Sequence, residues 1–152
     1  MEKIINLPPD FKEFVQSLND KKVKYLLVGG YAVAYHGYTR FTKDIDFWIW
    51  AESKNVELVL DALKDFSGTN FGYTKDDFLK KDIIFQIGMP PNRIDLITSI
   101  DGITFEEAFP KKIITEIDGV EIAIIDLESL KKNKKSSGRT KDLLDFEELS
   151  KE

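Results

Sequence analysis

Cysteine is absent from this 152-residue chain, and histidine occurs only once, at His36. The lack of cysteine excludes disulfide bonds and thiolate metal sites, and nothing in the composition indicates an oxidising compartment. A single histidine also leaves no second nitrogen ligand for a zinc site. Long hydrophobic runs are missing as well, since none approaches the roughly 20 residues that a membrane-spanning helix needs. We therefore expect a cytoplasmic protein without a membrane partner.

The balance of residue types is that of a globular protein, with 42% hydrophobic and 32% charged residues. The length predicts one domain, residues 1–152, because it allows a sizeable core but leaves little room for a second one. The formal net charge is −5, which argues against general coating of nucleic acid.

The first chemically informative stretch is an apolar run that ends at two glycines. Leu26-Leu27-Val28 precedes Gly29 and Gly30, and a short segment with alanines and aromatic residues follows. This order predicts a strand, a tight turn and a helix from about Tyr31 to Gly37. Glycines let a ligand approach the backbone closely, and a helix N-terminus offers free N–H groups to an anion. The stretch therefore predicts an anion-binding turn.

Two aspartates follow at a spacing of two, in Asp44-Ile45-Asp46-Phe47. Successive side chains of a strand point to opposite faces, so Asp44 and Asp46 share one face of the predicted strand. Two carboxylates held side by side repel each other unless a cation lies between them. A divalent ion that prefers oxygen ligands is the natural occupant. Taken singly, either motif fits an ordinary turn or a solvated edge strand, whereas both together favour a nucleotide and metal site.

The combination resembles the signature of the DNA polymerase beta-like nucleotidyltransferase superfamily, in which Gly-Gly and a helix precede an Asp-x-Asp strand. The fuller string, with His36-Gly37, Arg40 and Thr42 between the two motifs, is similar to small stand-alone members. Among these are the nucleotidyltransferase toxins of abortive-infection (AbiE-type) systems. The resemblance implies an α/β (α+β) fold with a single mixed β-sheet, flanking helices and a helical C-terminus. His36 either touches the nucleotide or caps the helix, and both alternatives stay open.

A third carboxylate is what a two-metal phosphoryl-transfer site needs, because it ligates a metal and draws a proton from the attacking hydroxyl. Asp95 is the best candidate, since it interrupts an apolar strand where an unpaired charge is costly. Asp82 and Asp101 lie next to turn residues and are more easily explained as solvated. Arg93 would lie on the face of Asp95 and pair with it, which is compatible with catalysis. The resemblance implies two Mg²⁺ ions, with Mn²⁺ as an alternative, held by Asp44, Asp46 and Asp95.

The C-terminal segment 131–142 concentrates cations in an otherwise acidic chain. Such a run is most often a solvated helix face. A triphosphate, however, needs cationic counter-charge, and the segment resembles a recurrent string near the C-terminus of AbiE-type toxins. Lys134 and Arg139 are the predicted triphosphate contacts, with Lys141 a weaker candidate. Both principal cations are expected to be dispensable for folding, because they lie outside the apolar stripe predicted for the last helix, Leu143, Leu144, Phe146 and Leu149.

The other nucleotide-binding residues predicted from the motif are Gly29, Gly30, Arg40 and Thr42. The two glycines and the helix that follows them would cradle the triphosphate, and Arg40 and Thr42 would reach a phosphate. Arg40 could equally pair with an aspartate.

The rest of the chain predicts a mixture of helices and strands. Ser53 is the predicted cap of a second clear helix, and little regular structure is expected over residues 67–82. The strands that follow include 83–87 and 93–97. Asp118-Gly119 between two apolar runs predicts a hairpin, and Asp126 can cap a penultimate helix.

The expected function is metal-dependent transfer of a nucleoside monophosphate from an NTP donor to a hydroxyl or phosphate acceptor. By analogy the acceptor is a tRNA end, a protein or a small molecule, and an antitoxin is a further expected partner. The alternative outside enzymology is a non-catalytic toxin–antitoxin binding partner with the same fold. A second enzymatic alternative is a metal-dependent phosphodiester hydrolase, in which water replaces the acceptor.

Overall fold

Six strands form one mixed sheet in the computed structural model, which describes residues 7–40, 42–89 and 91–151. Residues 1–6, Phe41, Pro90 and Glu152 lie outside these ranges, and so does the part of the predicted turn that falls on Pro90. The strand order is β3-β4-β2-β1-β6-β5. The strands are β1 Tyr25–Val28, β2 Asp44–Ile49, β3 Ile84–Ile87, β4 Arg93–Ile97, β5 Ile113–Ile117 and β6 Val120–Ile124.

Seven α-helices and one short 3₁₀-helix, Phe109–Lys111, accompany the sheet within the described ranges. Two of the helices end the chain, as the fold prediction requires, and the mixed α/β architecture is confirmed. None of the described helices is long and apolar enough to cross a membrane. The α-helices are α1 Pro9–Asp20, α2 Gly29–Tyr35, α3 Ser53–Ser67, α4 Lys75–Leu79, α5 Phe105–Ala108, α6 Leu127–Ser137 and α7 Thr140–Leu149.

The alternation along β2 separates the apolar core from the polar site. Phe47 is fully buried and its ring packs against Phe14 of α1, which in turn contacts Phe66 at the end of α3. Asp44 and Asp46 lie on the opposite face and are only half-buried. Since the core anchors one face of this strand, its register fixes both carboxylates on the other face.

The hairpin prediction is confirmed, because β5 and β6 pair in an antiparallel register around Asp118 and Gly119. The cap of α6 is also confirmed, since the Asp126 side chain accepts a hydrogen bond from the backbone N–H of Ser129.

Three local predictions were wrong. The helix after the glycines begins at Gly29 rather than near Tyr31. The cap of α3 is Glu52, whose side chain accepts from the N–H of Lys54, and not Ser53. The segment 67–82 contains a short helix, α4, because Thr74 and Asp77 form a reciprocal capping box that stabilises a single turn.

The buried side of α7 also differs from the predicted apolar stripe. Leu143 and Leu144 are 40% and 49% exposed, whereas Asp142 and Asp145 are buried together with Leu149. Hydrophobicity alone pointed to the wrong face because the charges of the two aspartates are compensated by cations from other elements, described below.

Candidate active site

The pairing of β2 with β4 brings the three predicted carboxylates together. The two strands run parallel, with Asp44 opposite Arg93 and Asp46 opposite Asp95. One oxygen from each of Asp44, Asp46 and Asp95 lies within 4.8 Å of the others. Residues 49 positions apart in sequence therefore form one cluster, as a metal-dependent site requires.

Arg93 holds two of these carboxylates. Its Nε donates to Asp95 Oδ1 at 2.8 Å, and its Nη2 donates to Asp44 Oδ2 at 2.7 Å and to Asp95 Oδ2 at 3.0 Å. The expected pair with Asp95 is present, and the second contact with Asp44 was not foreseen. The guanidinium thus fixes Asp44 and Asp95 relative to each other before any ligand binds.

Of the three carboxyl groups, Asp46 is the one that Arg93 does not contact within the described residues. Burial raises the pKa of this carboxyl to about 7, and the charges of Asp44 and Asp95 act in the same direction, against a smaller lowering by Lys134. Burial also raises the pKa of Asp95, although the hydrogen bond from Arg93 lowers it in part. Burial is the main cause of both shifts, and the mutual repulsion of the carboxylates adds to it, which is typical of a functional site.

The two glycines are required because other site residues lie directly against them. Gly29 has φ +69°, and a Cβ built on it would overlap the Asp46 carboxylate at Oδ2. A Cβ on Gly30 would lie 2.8 Å from Thr42 Oγ1. The absence of a side chain therefore lets Asp46 and Thr42 pack onto the backbone at the start of α2.

Thr42 and Arg40 border the same space but have different local roles. Thr42 Oγ1 donates to the backbone oxygen of Asp44 at 3.0 Å, so it orders the entry to β2. Arg40 makes a bidentate pair with Asp145 of α7, with Nε to Oδ1 at 3.0 Å and Nη2 to Oδ2 at 2.9 Å. Arg40 therefore pairs with an aspartate, which was one of the two alternatives. The pair connects the loop before β2 with α7.

Lys134 lies between the two buried aspartates of α7. Its Nζ is 3.0 Å from Asp142 Oδ1 and 3.3 Å from Asp145 Oδ2, and its side chain is 8% exposed. Asp142 also accepts from Ser137 at 2.6 Å and from Arg139 at 2.9 Å. Burial alone would raise the pKa of Asp142, but Ser137, Lys134 and Arg139 together lower it.

This environment corrects the expectation that Lys134 is dispensable for folding. Removing its charge would leave Asp142 and Asp145 buried with one cation fewer, which is a destabilising change. Arg139 fits the original expectation better, because its side chain is 78% exposed.

A cavity of about 390 Å³ unites the carboxylates with the predicted phosphate contacts. All of the predicted site residues border it, and so does the weaker candidate Lys141. His36 is not among the described residues that line it. Its Nε2 is 2.8 Å from the backbone oxygen of Ile125, which favours a structural role at the end of α2. The predicted site residues in the lining are Gly29, Gly30, Arg40, Thr42, Asp44, Asp46, Asp95, Lys134 and Arg139.

Several residues of the site were missed at the level of sequence. Asp142 and Asp145 hold the cations, and a spacing of three on a predicted helix was the available signal that they share a face. Ile84, Ile97 and Ile100 form an apolar wall of the cavity. Ile84 lies opposite Ile97 in the β3–β4 register, on the same face as Asp95, and is 57% exposed. Only the strand pairing shows that this wall adjoins the carboxylates.

The carboxylate cluster fits a divalent metal by its chemistry. It offers only oxygen ligands, which suit Mg²⁺ or Mn²⁺, and no soft ligand that would select zinc or copper. After burial, the charges of Asp44 and Asp95 are the next causes of the raised pKa of Asp46, so the cluster keeps negative charge in the presence of Arg93. Asp44, Asp46 and Asp95 are therefore suited to hold such an ion.

Solved structures of other proteins share this fold, among them an adenylyltransferase and a nucleotidyltransferase-like protein. A lincosamide antibiotic adenylyltransferase, LnuA, in its lincomycin-bound form, matches with a TM-score of 0.53 and 16% identity, over 95% of this chain and 98% of that chain. An antigenic nucleotidyltransferase-like protein from Paracoccidioides brasiliensis matches with a TM-score of 0.53 and 15% identity, over 95% of this chain and 78% of the other. At this identity the similarity concerns the fold alone.

At the level of sequence, no curated protein shows significant similarity to the chain. A family model does match, and it covers residues 9–152, nearly the whole length. The chain therefore belongs to the family described as "Nucleotidyl transferase of unknown function (DUF2204)".

Proposed function

We propose that this protein transfers a nucleoside monophosphate from an NTP to a hydroxyl or phosphate acceptor in a Mg²⁺-dependent reaction. The observation that carries the proposal is the composition of one cavity. Three carboxylates lie within 4.8 Å of one another at one wall, and Lys134 and Arg139 lie at another. A nucleoside triphosphate with its metal ions needs both kinds of charge in one cavity.

The triphosphate would occupy the side of the cavity formed by the glycine turn and the α6–α7 cations. Gly29 and Gly30 leave room for phosphate oxygens near the backbone, and Thr42, Arg40, Lys134 and Arg139 supply donors. Since Asp142 and Asp145 already fix the positions of these cations, little side-chain ordering remains to be done on binding.

Asp44, Asp46 and Asp95 would hold two Mg²⁺ ions, or Mn²⁺ in their place. When bound, such ions supply neutralising charge to the phosphates and lower the pKa of the attacking hydroxyl. Asp95 adds a proton acceptor, because its carboxylate lies at the edge of the cluster that faces Ile84 and Ile97. The acceptor would therefore enter over these two isoleucines, on the side away from the triphosphate.

The reaction follows from this placement. The acceptor oxygen attacks the α-phosphorus, and its proton passes to the Asp95 carboxylate. The bond from the α-phosphorus to the bridging oxygen breaks, and pyrophosphate leaves with that electron pair. Asp44 and Asp95 keep their orientation through the transfer because Arg93 contacts both.

We further propose that the chain is a single nucleotidyltransferase domain of the cytoplasm and belongs to the AbiE-type toxin branch. The support for this branch is the basic C-terminal segment that resembles AbiE-type toxins. Its cations Lys134, Arg139 and Lys141 all border the cavity of the carboxylates. An antitoxin would then be the partner. Growth arrest on expression, relieved by the product of a neighbouring gene, tests this proposal, and growth unaffected by expression contradicts it.

The enzymatic proposal is tested by incubating the protein with each labelled NTP, Mg²⁺ and either total cell RNA or cell lysate. Transfer requires that label is retained on an acceptor while pyrophosphate is released. Free labelled nucleoside monophosphate without a labelled acceptor would instead indicate a hydrolase. If neither product forms in excess of an Asp95→Asn control, the non-catalytic binding partner becomes the better description.

A further inference from the structure

A second cavity, of about 420 Å³, lies beside the C-terminal helices. Four lysines line it, Lys111 from the 3₁₀-helix and Lys131, Lys132 and Lys135 from α6. The lining contains one carboxylate, that of Glu128, which lies 4.0 Å from Lys131. The cavity therefore carries a net positive charge in a chain whose formal net charge is −5. None of the residues assigned to the active site lines it.

The wall of this lysine cavity combines cations with an aromatic face. Lys131 Nζ and Lys135 Nζ lie 6.0 and 5.6 Å from the ring centroid of Phe146, which borders the same cavity with Ile103. Lysines next to a partly exposed ring suit a ligand that has both phosphate groups and planar bases. Four separate lysines also suit several phosphates along a strand better than one compact anion, because each ammonium is a point charge.

A buried hydroxyl in the same wall lacks a partner. Ser129 is 2% exposed, and its Oγ makes no hydrogen bond to any residue that the structure describes. Buried polar atoms are paired in the great majority of cases, so an unpaired one needs an explanation. The Oδ1 atom of Asp126, in the same turn, is also unpaired. Because less than 1 Å² of this Oγ is accessible, a ligand in the lysine cavity reaches it only if the first turn of α6 moves, and a local pair with Asp126 is the rival explanation.

One loop and one helix separate the lysine cavity from the catalytic cavity, the cavity of about 390 Å³ that contains the three carboxylates. Asp101 borders the catalytic cavity, and Ile103 borders the lysine cavity two residues later. The loop is fastened to α6, since Asn133 Nδ2 donates to the backbone oxygen of Asp101 at 3.0 Å. Asn133 and Lys134 face the catalytic cavity, whereas their helix neighbours Lys132 and Lys135 face the other one. A strand held by the lysines would therefore have to pass around this loop or α6 for one end to reach the carboxylates.

We propose that the lysine cavity binds the phosphates of a single-stranded nucleic acid, which is the acceptor of the transfer reaction. The assignment of the strand as acceptor depends on the proposed function, whereas binding of the strand does not. The net negative charge of the chain makes this a local contact, in contrast to general coating of nucleic acid.

Binding is tested with a fluorescent 12-nucleotide oligouridylate in EDTA, so that divalent metal at the carboxylates does not contribute. The double variant Lys131→Gln/Lys135→Gln should weaken binding about tenfold or more, since charge-assisted contacts are lost. It should also reduce the slope of log K against log salt by roughly 0.7 for each contact removed. The matched control is Lys54→Gln/Lys64→Gln, which removes two exposed lysines of α3 and should leave binding unchanged.

Competition by three unlabelled ligands tests whether the site prefers a strand to other anions. Unlabelled oligouridylate should compete far better than UMP or a 12-residue poly-glutamate. Equal competition by UMP or by poly-glutamate overturns the assignment to a strand, and parental binding by the Lys131/Lys135 variant overturns the site itself. Ser129→Ala should weaken binding and leave the melting temperature unchanged or higher. A lower melting temperature with unchanged binding would assign the hydroxyl to Asp126 and remove this support.

The acceptor role is tested by steady-state transfer of label from NTP to the oligonucleotide. The Lys131/Lys135 variant should raise the KM for the oligonucleotide about tenfold and leave the KM for NTP unchanged. If the parent protein transfers label and the variant does so with the same KM, the inference fails while the proposed function stands. If strand binding is lost in the variant but the parent shows no transfer, the proposed function fails and the binding site stands.

Discussion

Arg93 Nη2 lies 2.7 Å from Asp44 Oδ2, so a guanidinium of β4 compensates a carboxylate of β2. Within the described residues the same side chain contacts Asp95 but makes no hydrogen bond to Asp46, and burial together with the two acidic neighbours raises the pKa of Asp46 to about 7. The repulsion expected for the aspartate pair is therefore concentrated on Asp46 rather than shared equally. Because Arg93 contacts Asp44 and Asp95 and not Asp46, substitutions of the three aspartates should have different effects.

The first prediction concerns stability without metal. At pH 8 in EDTA, Asp46→Asn should increase the free energy of unfolding by about 1–2 kcal/mol, because it removes a half-buried charge whose ionisation is unfavourable. Asp44→Asn should not stabilise, since it removes the partner of Arg93. Urea denaturation of both variants and the parent measures the difference. Equal stabilisation by the two changes would contradict the assigned role of Arg93.

The second prediction concerns pH. A carboxyl whose pKa is raised in the folded state is protonated more readily there than in the unfolded chain. Protonation of Asp46 therefore stabilises the folded metal-free protein at low pH. This stabilisation is lost as the pH rises from about 4, the pKa of Asp46 in the unfolded chain, through about 7, its pKa in the folded protein. This part of the pH dependence should vanish in Asp46→Asn. Melting curves of both proteins between pH 5 and pH 8 in EDTA are the measurement, and identical pH profiles would refute the prediction.

The third prediction links metal binding to the same proton. Because a metal ion must displace the proton of Asp46, the affinity for Mn²⁺ should rise about tenfold from pH 6 to pH 8. Titration calorimetry in two buffers of different ionisation enthalpy should also show proton release below pH 7. An affinity independent of pH would exclude Asp46 as a ligand with this pKa.

The fourth prediction separates binding from chemistry. Asp44→Asn and Asp46→Asn should impair both Mg²⁺-dependent nucleotide binding and turnover. Asp95→Asn should leave nucleotide binding nearly intact and reduce the chemical step on the order of 10²-fold or more, because the proton acceptor is lost. Asp61→Asn on the exposed side of α3 is the control. Parental turnover in Asp95→Asn would remove it from the mechanism.

The fifth prediction distinguishes two cations that looked equivalent in the sequence. Arg139→Ala should weaken NTP binding by about 1–3 kcal/mol and leave stability almost unchanged, because the side chain is 78% exposed. Lys134→Ala should in addition lower the free energy of unfolding by about 3 kcal/mol, since it uncovers buried carboxylates. The double variant Lys134→Met/Asp142→Asn should recover much of this stability without recovering NTP affinity. Unchanged stability in Lys134→Ala would contradict the buried network.

The sequence by itself determined the parts of the protein that depend on local pattern. The glycine turn, the placement of Asp44 and Asp46 on one face, and the hairpin at Asp118-Gly119 follow from periodicity and turn chemistry over a few residues. The choice of Asp95 also needed only its position within an apolar strand. These features are local because the backbone geometry that creates them spans fewer than ten residues or so.

Tertiary structure decided which charges meet when the residues are far apart in the sequence. Asp145 and Arg40 are 105 residues apart, and nothing in either segment predicts their bidentate pair. The buried side of α7 differs in part from the predicted one: Leu149 is buried as expected, but cations from α6 and from the loop before β2 make it favourable to bury Asp142 and Asp145, and Leu143 and Leu144 are exposed. Burial of a charge depends on a partner that arrives through the fold, and hydrophobicity along the chain contains no record of that partner.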